Sequence, residues 1–161
     1  MLTYLMKKTC LIIGAGAGIG GHCAKVFAKN GYHSFLTRRT DQVGLDKIVN
    51  DIASNGGSAE GKLLNIAEDG AVEDLVTHVQ KEVGNIEVVI YNLGSQIGNR
   101  RLNDISNKVF ELGWKVATFG LFRLAKSLFP YMVKKQKGTL IVTSSTAAVR
   151  GNRGQHYHAA S

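Results

Sequence analysis

Short apolar runs alternate with segments of helical period along almost the whole chain. "KTCLIIG" is an apolar run stopped by glycine and reads as a buried strand. In "GIGGHCAKVFAKNG", apolar Ile19, Cys23, Val26 and Phe27 recur at helical spacing, and Asn30-Gly31 supplies a C-terminal stop. "YHSFLTR" is a second strand, followed by a helix capped by Asp41 and ended by Gly56-Gly57. "SAEGKLLNI" supplies a third strand. A third helix places Val72, Leu75, Val76, Val79 and Val83 on one face. "IEVVIYNLG" shows no alternation, which predicts a fourth strand buried on both faces. A long helical stretch runs from about Ile105 to Lys135, and "GTLIVTSS" closes the series as a fifth strand. Strands that alternate with helices predict an α/β fold: a Rossmann-type doubly wound parallel sheet with helices on both faces. Ligands bind such sheets beyond the C-terminal ends of the strands, so chemistry is sought just after each strand.

The composition adds bounds. With 161 residues the chain is expected to form a single domain over 1–161 rather than two domains. The formal net charge is +8, but Lys7 and Lys8 precede a strand, Lys134, Lys135 and Lys137 end a helix, and Arg150 and Arg153 lie in a late loop. Such scatter predicts a solvated surface and an anionic cofactor, not a nucleic-acid partner. No run approaches the roughly 18 apolar residues of a membrane span, and "MLTYLMKK" lacks the order of a signal peptide. Cys10 and Cys23 fall on apolar positions without metal-ligand spacing. They are expected as reduced core residues of a cytoplasmic protein, with no metal bound.

The first candidate site is the loop after the first strand, Gly14-Ala15-Gly16-Ala17-Gly18-Ile19-Gly20. Counted from Gly14, the pattern is GxxxGxG on Gly14, Gly18 and Gly20. A GxGxxG match begins only at Gly16, two residues too late for the turn. Small residues here let the backbone approach a pyrophosphate at the positive end of the next helix, so Gly14, Gly16, Gly18, Ile19 and Gly20 are the expected lining. A phosphate-binding P-loop would need Gly-Lys-Ser/Thr, which is absent. At the end of the second strand an acid would mark NAD, whereas an arginine accommodates the 2′-phosphate of NADP. The sequence there reads Thr37-Arg38-Arg39. NADP(H) is therefore favoured over NAD(H), with Arg38 the first choice to grip the phosphate and Arg39 the second.

Three segments together resemble the short-chain dehydrogenase/reductase family: "GAGAGIG" at 14–20, "YNLG" at 91–94, and "GTLIVTSS" followed by "AAVRG". The resemblance runs in order along the whole chain and implies five of the family's usual seven strands. It implies cofactor contacts from Asn92 and Gly94, and from the pair Asn65-Ile66 near adenine, where the family usually has Asp plus an apolar residue. The family's chemistry uses a tyrosine that exchanges the substrate proton and a lysine four residues later that lowers the tyrosine pKa from about 10. It also uses a serine that polarises the carbonyl and an asparagine on the long helix that holds a relay water. Ser145 matches the serine. The asparagine position falls on Ala117, and the tyrosine position falls on His158, one place after Tyr157. The lysine position would follow Ser161, the last residue given. His158 is the candidate general acid, since a pKa near 6.5 suits proton transfer at neutral pH. His156 and His158 have no third metal ligand near in sequence.

The resemblance also implies two further strands and a substrate-covering loop, so the chain is expected to be C-terminally incomplete, with its fifth strand an open edge. It implies homo-oligomers built partly on the 105–135 helix, whose Val109, Leu112, Val116, Phe119, Phe122, Leu124, Leu128 and Met132 form a broad apolar surface. The leading expectation is an NADP(H)-dependent oxidoreductase acting on a small carbonyl or alcohol substrate. The alternative is a catalytically silent nucleotide-binding or interaction protein that keeps the fold.

Overall fold

The computed structural model of the chain describes residues 7–94 and 100–150. Its strands are β1 (Lys7–Ile13), β2 (His33–Arg38), β3 (Ser58–Leu63), β4 (Gly84–Tyr91) and β5 (Thr139–Val142). They form one parallel sheet in the order β3-β2-β1-β4-β5. The connecting helices are α1 (Ile19–Lys29), α2 (Gln42–Ser54), α3 (Ala71–His78), α4 (Asn107–Trp114) and α5 (Gly120–Lys135). The doubly wound architecture expected from the alternation is the one observed. No helix among the described residues is long and apolar enough to cross a membrane.

Successive strand residues feed two separate cores. Leu11, Ile13, Val89 and Tyr91 point to one face, where Val72, Leu75 and Val76 of α3 and Leu124 and Leu128 of α5 cover them. Cys10, Ile12, Val88 and Ile90 point to the other, under Ala24 and Ala28 of α1 and Leu45, Ile48 and Ile52 of α2. Because both faces are covered, β1 and β4 read as continuous apolar runs. Full burial of each Leu, Ile or Phe side chain contributes about 1.5–3 kcal/mol relative to exposure.

Helix ends follow their local signals. Asp41 caps α2, its side chain accepting from Gly44 N at 2.8 Å. Gly31 and Gly56 take positive φ just past α1 and α2, a conformation glycine adopts without Cβ strain.

Three details go beyond what the sequence pattern stated. In α1 the Ile19 and Val26 side chains are 59% and 44% exposed. Gly20, Gly21, Ala24 and Ala28 are the buried ones, the two glycines against the loop after β1. The helix lies so close to β1 and β2 that only small residues fit, and Ser34 Oγ on β2 even donates to Ala24 O at 2.8 Å. Cys23 accordingly packs at the core margin, partly buried, while Cys10 is wholly enclosed. The long helix is not one α-helix. It starts at Asn107, capped by Ser106, and passes through a π-helical turn (Lys115–Phe119) before α5. A second π turn (Val79–Val83) ends α3. Of the apolar residues named on the long helix, only Leu124, Leu128 and Met132 are buried.

Candidate functional site

The C-terminal ends of β1, β2 and β4 are laced together by main-chain hydrogen bonds. Gly14 takes φ +90° immediately after β1, and the amides of Gly14 and Ala15 both donate to Thr37 O at 3.2 and 2.8 Å. Asn92 closes the other side. Its amide donates to Ile13 O at 2.9 Å, and its side-chain Nδ2 donates to Gly14 O at 3.1 Å. Asn92, expected as a cofactor contact, is thus first a brace for the loop.

The loop glycines divide into two kinds. A Cβ on Gly14 would lie 2.7 Å from Asn92 O, and on Gly20 2.3 Å from Gly14 O. On Gly21, which the sequence reading passed over, it would lie 2.4 Å from Gly16 O. These three allow chain to pack on chain. Around Gly16 and Gly18 a Cβ would meet nothing within 4 Å. Those two face open space at the start of α1, whose N-cap Gly18 supplies no side-chain hydrogen bond. Helix amides that lack a protein cap favour an anion. The cradle therefore fits a pyrophosphate, with Gly16 and Gly18 at its floor and Ile19, largely exposed, at its rim.

At the end of β2, Arg38 pairs with Asp41 at 2.8 Å. The arginine chosen for a 2′-phosphate is already engaged by the residue that caps α2. Gly44 makes room for this arrangement, since a Cβ there would lie 2.1 Å from Arg38 Nη1. Arg39 is exposed beside it. Across the strand ends, Leu64 N donates to Arg38 O at 2.7 Å.

After β3, Asn65 spends its side chain on its own turn. Oδ1 accepts from Ala67 N at 3.3 Å, and Nδ2 donates to Glu68 Oε1 at 2.9 Å. Ile66, expected near adenine, turns its side chain into the core beneath α5. Its side chain fills space between sheet and helix. Gly94 is exposed just beyond β4.

Two groups under the site escaped the sequence reading. Arg123 on α5 is only 8% exposed and forms a two-pronged pair with Glu73 on α3, at 3.0 and 2.6 Å. The guanidinium holds the Glu73 carboxyl below its ordinary range. The available signal was an arginine set between apolar Phe122 and Leu124 in the long helical stretch. Tyr91 donates its hydroxyl to Val116 O in the π turn, and burial pushes that phenol well above its usual value. Gly120 leaves the space, since a Cβ there would sit 2.6 Å from the Tyr91 hydroxyl.

On the β5 side, Thr143 N donates to Tyr91 O at 2.9 Å. Ser145, exposed, caps the short 3₁₀ turn Thr146–Ala148, accepting from Ala147 N at 3.2 Å. Ala117 sits part-buried in the π turn. His158 lies outside the described residues, as do Tyr157 and His156.

The sequence profile described as short chain dehydrogenase matches residues 8–161. The chain belongs to the short-chain dehydrogenase family. Among its relatives is the 3-oxoacyl-(acyl-carrier-protein) reductase of Thermotoga maritima, 28% identical over 98% of this chain and 63% of that protein. The 2,3-dihydro-2,3-dihydroxybenzoate dehydrogenase of Bacillus subtilis is 24% identical over 88% of this chain and 53% of its own length. This short-chain dehydrogenase thus spans under two thirds of the curated relatives it matches. A short-chain dehydrogenase structure from Rhodopseudomonas palustris superposes with TM-score 0.89 at 27% identity, covering 95% of this chain and 71% of that one. A structure from Beutenbergia cavernae with NADP bound at low occupancy gives TM-score 0.86 at 25% identity, covering 97% and 61%.

Proposed function

We propose that this short-chain dehydrogenase binds NADP(H) across the ends of β1, β2 and β4 and serves an oxidoreductase that interconverts a carbonyl and an alcohol. The open cradle over Gly16 and Gly18, at an uncapped helix start, carries this reading. Gly14 and Gly20 shape the loop, Asn92 braces it, and Gly94 and the Asn65 turn border the space beyond. Arg38 and Arg39 favour the 2′-phosphate form, because a guanidinium offers a phosphate a planar pair of donors. Family membership and the NADP-bound Beutenbergia structure support the same cofactor class. When bound, the nicotinamide supplies or accepts a hydride. The chain's own task is to hold the pyrophosphate, to orient a substrate oxygen by the Ser145 hydroxyl, and to deliver a proton, for which His158 is the candidate. The substrate is a small carbonyl compound or alcohol. Fluorescence titration with NADPH and NADH tests the reading: NADPH binds tighter, and equal affinities overturn the 2′-phosphate assignment.

Ala117 favours a second reading, since a methyl group in the π turn cannot support a relay water as an asparagine would. In it the protein binds nucleotide and is catalytically silent. Tight NADPH binding with no oxidation across a panel of ketones and aldehydes selects this reading. The stacked rings of Trp114, Phe119 and Phe122 on the long helix, of which Trp114 and Phe122 are exposed, support a homo-oligomer built there, which sedimentation velocity tests. The free thiols of Cys10 and Cys23 support a reducing, cytoplasmic setting.

A further inference from the structure

Arg123 is a buried cation whose hydrogen bonds among the described residues run to one stretch of chain, from the end of β3 into α3. Beyond the two bonds to Glu73, its Nη1 donates to Glu68 O at 2.9 Å and to Ile66 O at 3.4 Å. A peptide unit is planar, with its carbonyl and the following amide opposed. Holding Ile66 O toward Arg123 therefore turns Ala67 N the other way, onto Asn65 Oδ1. Holding Glu68 O fixes the residue whose carboxylate accepts from Asn65 Nδ2. Both ends of the Asn65 amide are thus set, at one remove, by a guanidinium on α5. The turn lies beside the end of β2, tied to it through Leu64 N and Arg38 O. The 2′-phosphate and the base of NADP(H) hang on one ribose, so a phosphate on Arg38 or Arg39 brings the base against this neighbouring turn.

We propose that Arg123 is a positioning residue for the adenosine end of the nucleotide site, acting by fixing the 65–68 turn from beneath. The proposal rests on the nucleotide reading above. It separates the two ends of the ligand, because the Arg123 hydrogen bonds among the described residues go to Ile66, Glu68 and Glu73 and not to the glycine loop. Lysine cannot replace it: a single ammonium cannot hold a carboxylate in two places and two carbonyls together.

The test is calorimetric titration of the purified chain with 2′,5′-ADP, the adenosine half, and with reduced nicotinamide mononucleotide, the other half. Arg123→Met is expected to weaken 2′,5′-ADP about tenfold, the size of a lost charge-assisted contact, with the nicotinamide half unchanged. Arg123→Lys is expected to recover little. Glu73→Gln, which keeps the guanidinium and frees one side of it, is expected to weaken the adenosine half by a smaller factor, and it decides the matter if Arg123→Met does not fold. Unchanged 2′,5′-ADP affinity in the variants that fold, or equal weakening of both halves, overturns the positioning role alone. Failure of the unmutated chain to bind either half overturns the nucleotide reading, and this proposal with it.

Discussion

Strands β1 and β5 lie two places apart in one sheet and could hardly be built more differently. From Thr9 to Ile13, β1 is buried on both faces, and its end is tied to its neighbours through Thr37, Asn92 and Gly14. β5 has four residues, and Ile141 and Val142 are 43% and 44% exposed. The nucleotide end is closed by contacts among described residues of this chain. The serine end rests on an edge strand, held through β4, with the candidate acid His158 outside the described residues. The glycine cradle can therefore be dissected side chain by side chain in this chain, whereas the chemistry of Ser145 is tested only through turnover.

The sharpest break in that comparison comes from two valines. Gly20→Val drives a side chain into Gly14 O and is expected to cost about 3 kcal/mol of stability, read as a large drop in thermal midpoint. Gly18→Val enters open space. It is expected to abolish NADPH binding while the midpoint and helical circular dichroism stay near those of the parent. Equal loss of stability in the two variants would show that Gly18 is packed, not open.

On the other side, Ser145→Ala is expected to lower carbonyl turnover by roughly 10²–10⁴, the usual cost of a lost acid–base or polarising group. Its NADPH affinity should match the parent. Turnover unaffected by the change would place the chemistry elsewhere.

Smaller effects sharpen the cofactor choice. Arg38→Ala is expected to reduce the preference for NADPH over NADH about ten- to a hundredfold, measured as the ratio of dissociation constants. Because Asp41 already neutralises Arg38, Asp41→Asn should raise NADPH affinity several-fold, and asparagine still caps α2. A preference that survives Arg38→Ala and is lost in Arg39→Ala would move the phosphate to the exposed neighbour.

The smallest effect is a pH slope. His33 at the start of β2 is buried, its Nδ1 2.7 Å from Ser58 Oγ and its Nε2 enclosed 3.9 Å from Glu60. Burial lowers its pKa below the ordinary 6.5; Glu60 opposes that shift and Lys7 adds to it. The unfolded chain then binds more protons than the folded one as pH falls through 6.5, so stability should decline on that side. His33→Gln should flatten the slope of thermal midpoint against pH.

Much of the cofactor end was legible because it depends on local signals. A buried strand stopped by Gly14, a run of small residues and a following helix leave few alternatives, and Asp41 and Asn30-Gly31 mark helix ends by side-chain and backbone chemistry alone. Which residues of α1 are buried was less legible. Hydrophobicity points to Ile19 and Val26, but proximity to β1 and β2 selects Gly20, Gly21 and Ala24. The packing of the Ile66 side chain beneath α5 likewise came only with the tertiary structure. Periodicity also reports a helical stretch from about Ile105 to Lys135 without showing that five residues inside it wind as a π turn.

By itself, the sequence determined the order of strands and helices, the place of the glycine loop and the pair of arginines beyond β2, since these follow from pattern and turn chemistry within a few residues. Only the tertiary structure decided which glycines face open space, that Arg38 is shared with Asp41, and that Arg123 reaches across to Glu73 and the turn after β3. The physical reason is range. A turn or cap is fixed by neighbours along the chain. An empty Cβ position or a buried ion pair exists only once residues some 50 positions apart have been packed against one another.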